Sequence, residues 1–270
     1  MKLVLEPGRA ARNYWGDVWR YRELLYFLAW RDLAVRYKQT AVGVAWAVLR
    51  PAFTMLVFVG FRRIFGLADH GVPGPLFVLA GVVPWQFFSS SVSDAAASLV
   101  GNAALVSKTY FPRLLIPCSA VVTSVCDFAI MLGMLAVLML AYGYAPTWHL
   151  VLLPLFVALT LAFSLGVGLL FAALSVRFRD FRYVVPFAVQ IGLFVSPLGF
   201  SAEQVPARWR LFYELNPLVG IIDGSRWCVL GDGATIDPRA LAVSVIASCI
   251  ALIIGVRYFR RVERGFADVI

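Results

Sequence analysis

Arg50 and Asp127 each lie inside a long apolar stretch of this 270-residue chain. A charge at membrane depth costs several kcal/mol unless it is paired or hydrated, so both positions are functional candidates, either as a buried ion pair joining two helices or as groups facing a polar passage. Elsewhere the residue types that do chemistry are sparse. The two histidines, His70 and His149, fall in segments expected to be solvated loops. Cys118, Cys126, Cys228 and Cys249 show no CxxC spacing and no histidine at ligand distance, so neither a disulfide framework nor a metal site is expected. There is no GxSxG, HExxH or paired acidic motif, and no glycine is followed by lysine, which excludes a Walker A loop. No catalytic residue and no cofactor is expected, and any ATP would be handled by another chain.

The elements that must carry these charges are membrane helices. The composition is 61% hydrophobic and 14% charged, with a mean hydropathy of +0.82, too little polar surface to cover a soluble globule. Apolar runs predict six spans, at 41–61, 76–92, 114–142, 150–176, 184–200 and 240–258. The fold class is therefore an all-α integral membrane protein. A tail and interfacial helix occupy 1–40, and a six-span domain 41–270. The net charge of +9 comes from basic residues that flank apolar runs and do not form one stripe, which points to topology and anionic lipid, not to nucleic acid. The N-terminal tail, the segments before the third and fifth spans and the C-terminal tail are rich in Arg and Lys, whereas the link from Tyr142 to Leu150 has neither. Both ends are thus expected to be cytoplasmic, although Arg62, Arg63 and the arginines of the last loop run against the trend. The polar, charged N-terminus gives no expectation of a cleaved signal peptide.

Residues 17–38 mix Trp19, Tyr21, Tyr26 and Trp30 with arginines, the pattern of a helix lying at the interface. Its charges fall on two faces, so one face is expected to meet protein. Asp32 and Arg36 have i,i+4 spacing. The connection 201–239 is too long for a turn and rich in aromatic and aliphatic residues, which suggests short re-entrant helices. Ser196 and Pro197 break the span before it, as at the mouth of a pathway. Trp85, Phe87, Phe88, Phe194 and Phe200 crowd the outer ends of spans. They form either an interfacial aromatic belt or rings that stack on sugars.

Taken together these residues resemble the permease subunits of bacterial ABC transporters that export cell-surface polysaccharides such as O-antigen, capsule and teichoic acid precursors. The resemblance covers nearly the whole chain. It rests on Arg31-Asp32, then Arg36-Tyr37-Lys38-Gln39-Thr40, Gly43, Trp46 and Pro51; on Phe111-Pro112-Arg113 with Pro117; on Arg179-Asp180; and on Ser196-Pro197, Asn216-Pro217, Arg226 and Phe266-Ala267-Asp268. Two departures are Val42, where leucine is usual, and Arg50, where the residue before the proline is commonly uncharged. The resemblance implies six helices per protomer, a homodimer, two copies of a separate ATPase and a lipid-linked glycan as substrate. It also implies that the loop 101–113 carries a coupling helix, with Lys108, Tyr110, Phe111 and Arg113 toward the ATPase. Arg31, Asp32, Arg36, Tyr37 and Lys38 belong to the interfacial helix. Candidate channel or gating residues are Arg50, Trp85, Phe88, Asp127, Phe194, Ser196, Pro197, Asn216 and Arg226.

Other classes share parts of this pattern. An ABC permease for a drug or other lipophile would have the same architecture with a more apolar cavity. An intramembrane transferase would need a cluster of Asp, Glu or His at the membrane edge, and these residues are scarce. A purely structural scaffold would leave the broken fifth span without a reason.

Overall fold

A computed structural model describes residues 14–38, 43, 45–66, 71–201 and 204–266. Every described element of regular structure is helical. Two short helices, α1 (Tyr14–Arg20) and α2 (Arg22–Lys38), precede α3 (Ala45–Ile64), α4 (Gly74–Gly101), α5 (Ala103–Lys108) and α6 (Leu115–Ala141). A 3-10 turn then leads into α7 (Leu153–Arg177), followed by α8 (Phe181–Val195), α9 (Ala207–Glu214), α10 (Pro217–Leu230) and α11 (Pro238–Val262). His70, Gln39, Thr40, Ala267 and Asp268 lie outside the described residues.

Helix α4 is the axis of the bundle. From Leu76 to Phe88 it is apolar on nearly all sides, the pattern of a helix enclosed by others, and every residue there but Gln86 is buried. Helices α3, α6, α7, α8 and α10 all pack on it. On α7, Gly166 lets the backbone of Ala251 on α11 approach so closely that a Cβ would collide, and Gly255 of α11 sits against Gly166 in return. Those two glycines explain the intimate α7–α11 crossing. Two apolar clusters mark the ends of the bundle. At the end where α1, α2 and α5 gather, here termed proximal, Leu28, Leu99, Phe111, Leu169 and Phe259 form one. At the opposite, distal end Leu76, Phe87, Phe128, Met131 and Val229 form the other.

Five helices are long and apolar enough to cross a membrane: α3, α4, α6, α7 with its preceding turn, and α11. The fifth expected span differs. It is the 15-residue α8, which stops at Val195 where Ser196 turns extended (ψ 152°), and residues 196–200 bend back toward the bundle. The second span is longer than expected and runs nine residues past Val92 to Gly101, a difference with consequences for the charges below.

Candidate functional site

Three sets of polar or aromatic side chains stand out, one at each end of the bundle and one along its outside. At the proximal end α2 lies along α6, with the hydroxyl of Thr123 donating to the carbonyl of Ala29 at 3.5 Å. The last turn of α2 therefore reaches the carboxylates of the bundle. Arg36 bridges Asp94 of α4, at 2.7 Å, and Asp127 of α6, and the Tyr37 hydroxyl also donates to Asp127. Ser124 donates to Asp94 at 3.4 Å. One turn earlier, Arg31 pairs with Asp32 and donates to the Asn102 side chain, both at 2.7 Å.

Two expectations are corrected here. Asp127 is neutralised by Arg36 and not by Arg50, because α2 climbs alongside α6 and brings its own arginine to the depth of the carboxylate. Asp32 pairs with Arg31 and not with Arg36, whose guanidinium is already held by two acids. Asp94 is a site residue that sequence reasoning missed. Once α4 is known to continue past Val92, Asp94 is a third ionisable residue inside a span.

The proposed coupling segment divides in two. Lys108 and Tyr110 are exposed. Phe111, in contrast, is only 4% exposed and packed in the proximal cluster. The Arg113 backbone N–H donates to the Glu263 carboxylate at 2.7 Å, and its guanidinium donates to the Glu263 carbonyl. Phe111 and Arg113 thus anchor the segment to its own protomer, while Lys108 and Tyr110, like Ser107 and Thr109 beside them, remain exposed. Lys38, at the end of α2, is also exposed.

At the distal end two buried arginines hold the break after α8. Arg226 of α10 is 1% exposed. Its Nη2 donates to the Leu198 carbonyl at 2.6 Å, its Nη1 to that of Phe200 at 3.2 Å and its Nε to that of Phe77 at 3.2 Å. Asp223 lies 3.4 Å from Nη1 and supplies the counter-charge. Arg62 of α3 donates to the Gly199 carbonyl at 3.0 Å. Both guanidiniums sit over the Phe77 ring, Arg226 at 4.0 Å and Arg62 at 4.5 Å from its centroid. Gly81 lies under Arg226, where any Cβ would strike the guanidinium. Burial pushes the nearby Tyr213 phenol above its ordinary value, and the Asp223 carboxylate adds to the rise. Three successive carbonyls, 198 to 200, are therefore fixed by two cations from two helices.

Arg226 and Arg62 thus form a structural clamp on the segment that Ser196 and Pro197 open, with Ser196 itself buried. The Asn216 side chain caps α10 by accepting from the Leu218 N–H at 3.1 Å, with Pro217 in the first turn.

The aromatic candidates also separate. Trp85 is 2% exposed and fills the space left by Gly192, while Phe88 stacks on Phe163 with centroids 5.2 Å apart. Both are core residues. Phe194 is exposed, as are Tyr183, Phe187 and Gln190, which follow one another at three- and four-residue spacing along α8. A matching stripe runs along α3 through Trp46, Arg50, Phe53, Val57 and Phe61. Inside the bundle, the void among Pro84, Phe128, Val157 and Val229 holds only about 10 Å³. His149 is not solvated as expected: it is buried, 3.1 Å from Thr147, and packed between Trp148 and Trp227.

A packed helical bundle with five apolar helices of membrane-crossing length has the architecture of a multi-pass membrane protein. The family model for ABC-2 type transporters matches residues 23–230, and the chain belongs to that family. It is similar to the O-antigen export system permease protein RfbA of Myxococcus xanthus, 34% identical over 76% of this chain and 80% of that one. A protein of the same name from Klebsiella pneumoniae is 27% identical over 92% and 95%. The polysialic acid transport protein KpsM of Escherichia coli is 24% identical over 87% and 92%.

Proposed function

We propose that the chain is the membrane permease of a bacterial polysaccharide exporter, moving a lipid-linked glycan such as an O-antigen across the cytoplasmic membrane. A separate ATPase, bound in two copies, supplies the energy. The permease works as a homodimer with six spans per protomer: α3, α4, α6, α7, α8 and α11. Helix α8 is about 22 Å long, and the clamped segment 196–200 completes its crossing. The proximal end is cytoplasmic, with Lys108 and Tyr110 toward the ATPase. Helices α9 and α10 form a re-entrant layer on the other side.

The observation that carries the glycan reading is the pair of uncovered stripes on α3 and α8. Arg50 on a lipid-facing surface would be costly, whereas in a hydrated passage its guanidinium and Gln190 meet sugar hydroxyls while the rings stack on the apolar C–H faces. The passage is assigned between two copies because the protomer's own interior is packed. A lipophile exporter has no use for Arg50 on that face.

The test uses single cysteines in a background lacking the four native ones. Cysteine at Phe53, Val57 or Phe187 should react with a hydrophilic thiol reagent while the exporter turns over, and cysteine at Ile253, which is equally apolar and exposed, should not. Equal inertness at all four positions would overturn the hydrated passage.

A further inference from the structure

A groove of about 520 Å³ runs along the proximal end of α11, outside the clamps and away from the uncovered stripes. It is lined by Leu252, Ile253, Val256, Arg257 and Arg260 of α11 and by Trp15 of α1. The order of these residues along the helix axis separates two chemistries. Leu252, Val256 and Arg260 succeed one another at four-residue spacing and Ile253 precedes Arg257 by four, so Leu252 and Ile253 lie roughly 6–12 Å farther from the proximal end than the two arginines, while Val256 stands level with Arg257. Trp15, 57% exposed, stands at the level of the charges, with Arg260 5.7 Å from its ring centroid and 4.3 Å from that of Tyr14. No carboxylate lines the groove. The nearest in sequence, Glu263, accepts from the Arg113 N–H and lies close enough to Arg260 to offset part of its charge, whereas Arg257 has no ion pair among the described residues.

We infer that this groove binds an anionic phospholipid, its phosphate between Arg257 and Arg260 and one acyl chain along Leu252, Ile253 and Val256. The aliphatic floor is continuous with the exposed face of α11 that carries Ile246, Ile250 and Ile254, so a lipid enters sideways from the bilayer without crossing a polar barrier. Tryptophan and arginine at headgroup level with aliphatic residues one to two turns deeper match the polarity profile of one leaflet. The site differs from the proposed glycan passage, because α11 packs on α7 and α10 while the uncovered stripes belong to α3 and α8. Because α1 forms one wall, an occupied groove ties the N-terminal helices to the bundle.

The test is native mass spectrometry of the full-length protein in detergent, titrated with phosphatidylglycerol and, separately, phosphatidylcholine. The wild type should retain phosphatidylglycerol preferentially. Arg257→Gln should lower that retention about fivefold, the factor equivalent to about 1 kcal/mol per basic residue at an anionic leaflet. Arg257→Gln combined with Arg260→Gln should abolish the preference, and Ile253→Trp, which fills the groove without altering charge, should reduce retention of both lipids. Arg260 also stacks on Tyr14, so the exposed Arg257 is the decisive position if the double variant is poorly folded. Equal retention of the two lipids by the wild type would overturn the assignment, as would unchanged selectivity in Arg257→Gln. Displacement of phosphatidylglycerol by a polyprenyl diphosphate at far lower concentration would give the groove to the glycan carrier and overturn it too.

Discussion

Replacing Arg226 by lysine keeps the positive charge in the distal clamp and removes the fork that makes it work. The guanidinium serves three carbonyls through three different nitrogens, at 2.6, 3.2 and 3.2 Å, with Asp223 at 3.4 Å. A single ammonium can keep Asp223 and one carbonyl, so two of the three charged hydrogen bonds are lost; the Phe77 carbonyl still accepts from its own helix, but one of the Leu198 and Phe200 carbonyls loses its guanidinium donor. Each hydrogen bond from a charged donor contributes about 1.5–3 kcal/mol, so the loss is about 3 kcal/mol at the least. For a chain of this size about 1 kcal/mol moves Tm by roughly 2–4 °C, which gives a fall of about 6 °C or more for Arg226→Lys. Thermal unfolding of the detergent-solubilised protein, followed by loss of its monodisperse size-exclusion peak, reads this directly. Arg239→Lys, a like change at an exposed position, serves as the control and should leave Tm unmoved. A cysteine replacing the buried Ser196 should also become more reactive in the Arg226→Lys background as the 196–200 segment loosens. A Tm within about 2 °C of the wild type, with Ser196→Cys equally protected in both backgrounds, would refute the clamp.

The proximal and packing interactions make further predictions. Arg36→Ala and Asp127→Ala should each destabilise, and the double variant should cost about 0.5–3 kcal/mol less than their sum, while Arg50→Ala should be additive with Asp127→Ala; coupling of Asp127 to Arg50 in a thermal assay would reverse the assignment. Phe111→Ala should lower stability by about 3–5 kcal/mol. Tyr110→Ala should leave stability intact and reduce co-purification of the ATPase; a stable Phe111→Ala variant would contradict the burial. Gly166→Leu should force α7 and α11 apart and prevent recovery of folded protein from membranes, and a well-behaved variant would contradict the crossing. Cysteine at Ala145 should label with an impermeant thiol reagent in intact cells and cysteine at Arg179 should not; equal labelling would overturn the orientation.

Much of this architecture is legible from hydropathy, because a helix that crosses lipid must be apolar for about 20 residues whatever it packs against. The run at 114–142 lies within one residue of α6 at each end, and that at 240–258 within two to four residues of α11. Reading by apolar runs fails where a helix continues past its apolar part. The serines and Asp94 hid the last nine residues of α4, and with them the acid that shares Arg36. Pair partners were illegible for a related reason. Depth along a span can be counted from sequence, but the tilt of α2 against α6 is a packing outcome, and it decides that Arg36 and not Arg50 reaches Asp127. Aromatic residues carry the same ambiguity, since Trp85 and Phe194 have similar neighbours in sequence, yet one fills the core and the other faces outward. Arg226 and Asn216 were visible as notable residues, but their roles as clamp and cap depend on where the chain folds back.

The central claim, that this chain carries a polysaccharide out of the cell, is tested most directly by deleting its gene and locating the glycan. The account predicts that surface polysaccharide disappears while the lipid-linked glycan accumulates on the cytoplasmic side. The wild-type chain should restore export, and Arg50→Glu, which reverses the charge on the passage stripe at an exposed position, should not, with its membrane level and monodispersity checked against the wild type. Undiminished surface polysaccharide in the deletion strain, with no glycan accumulating inside, would contradict it.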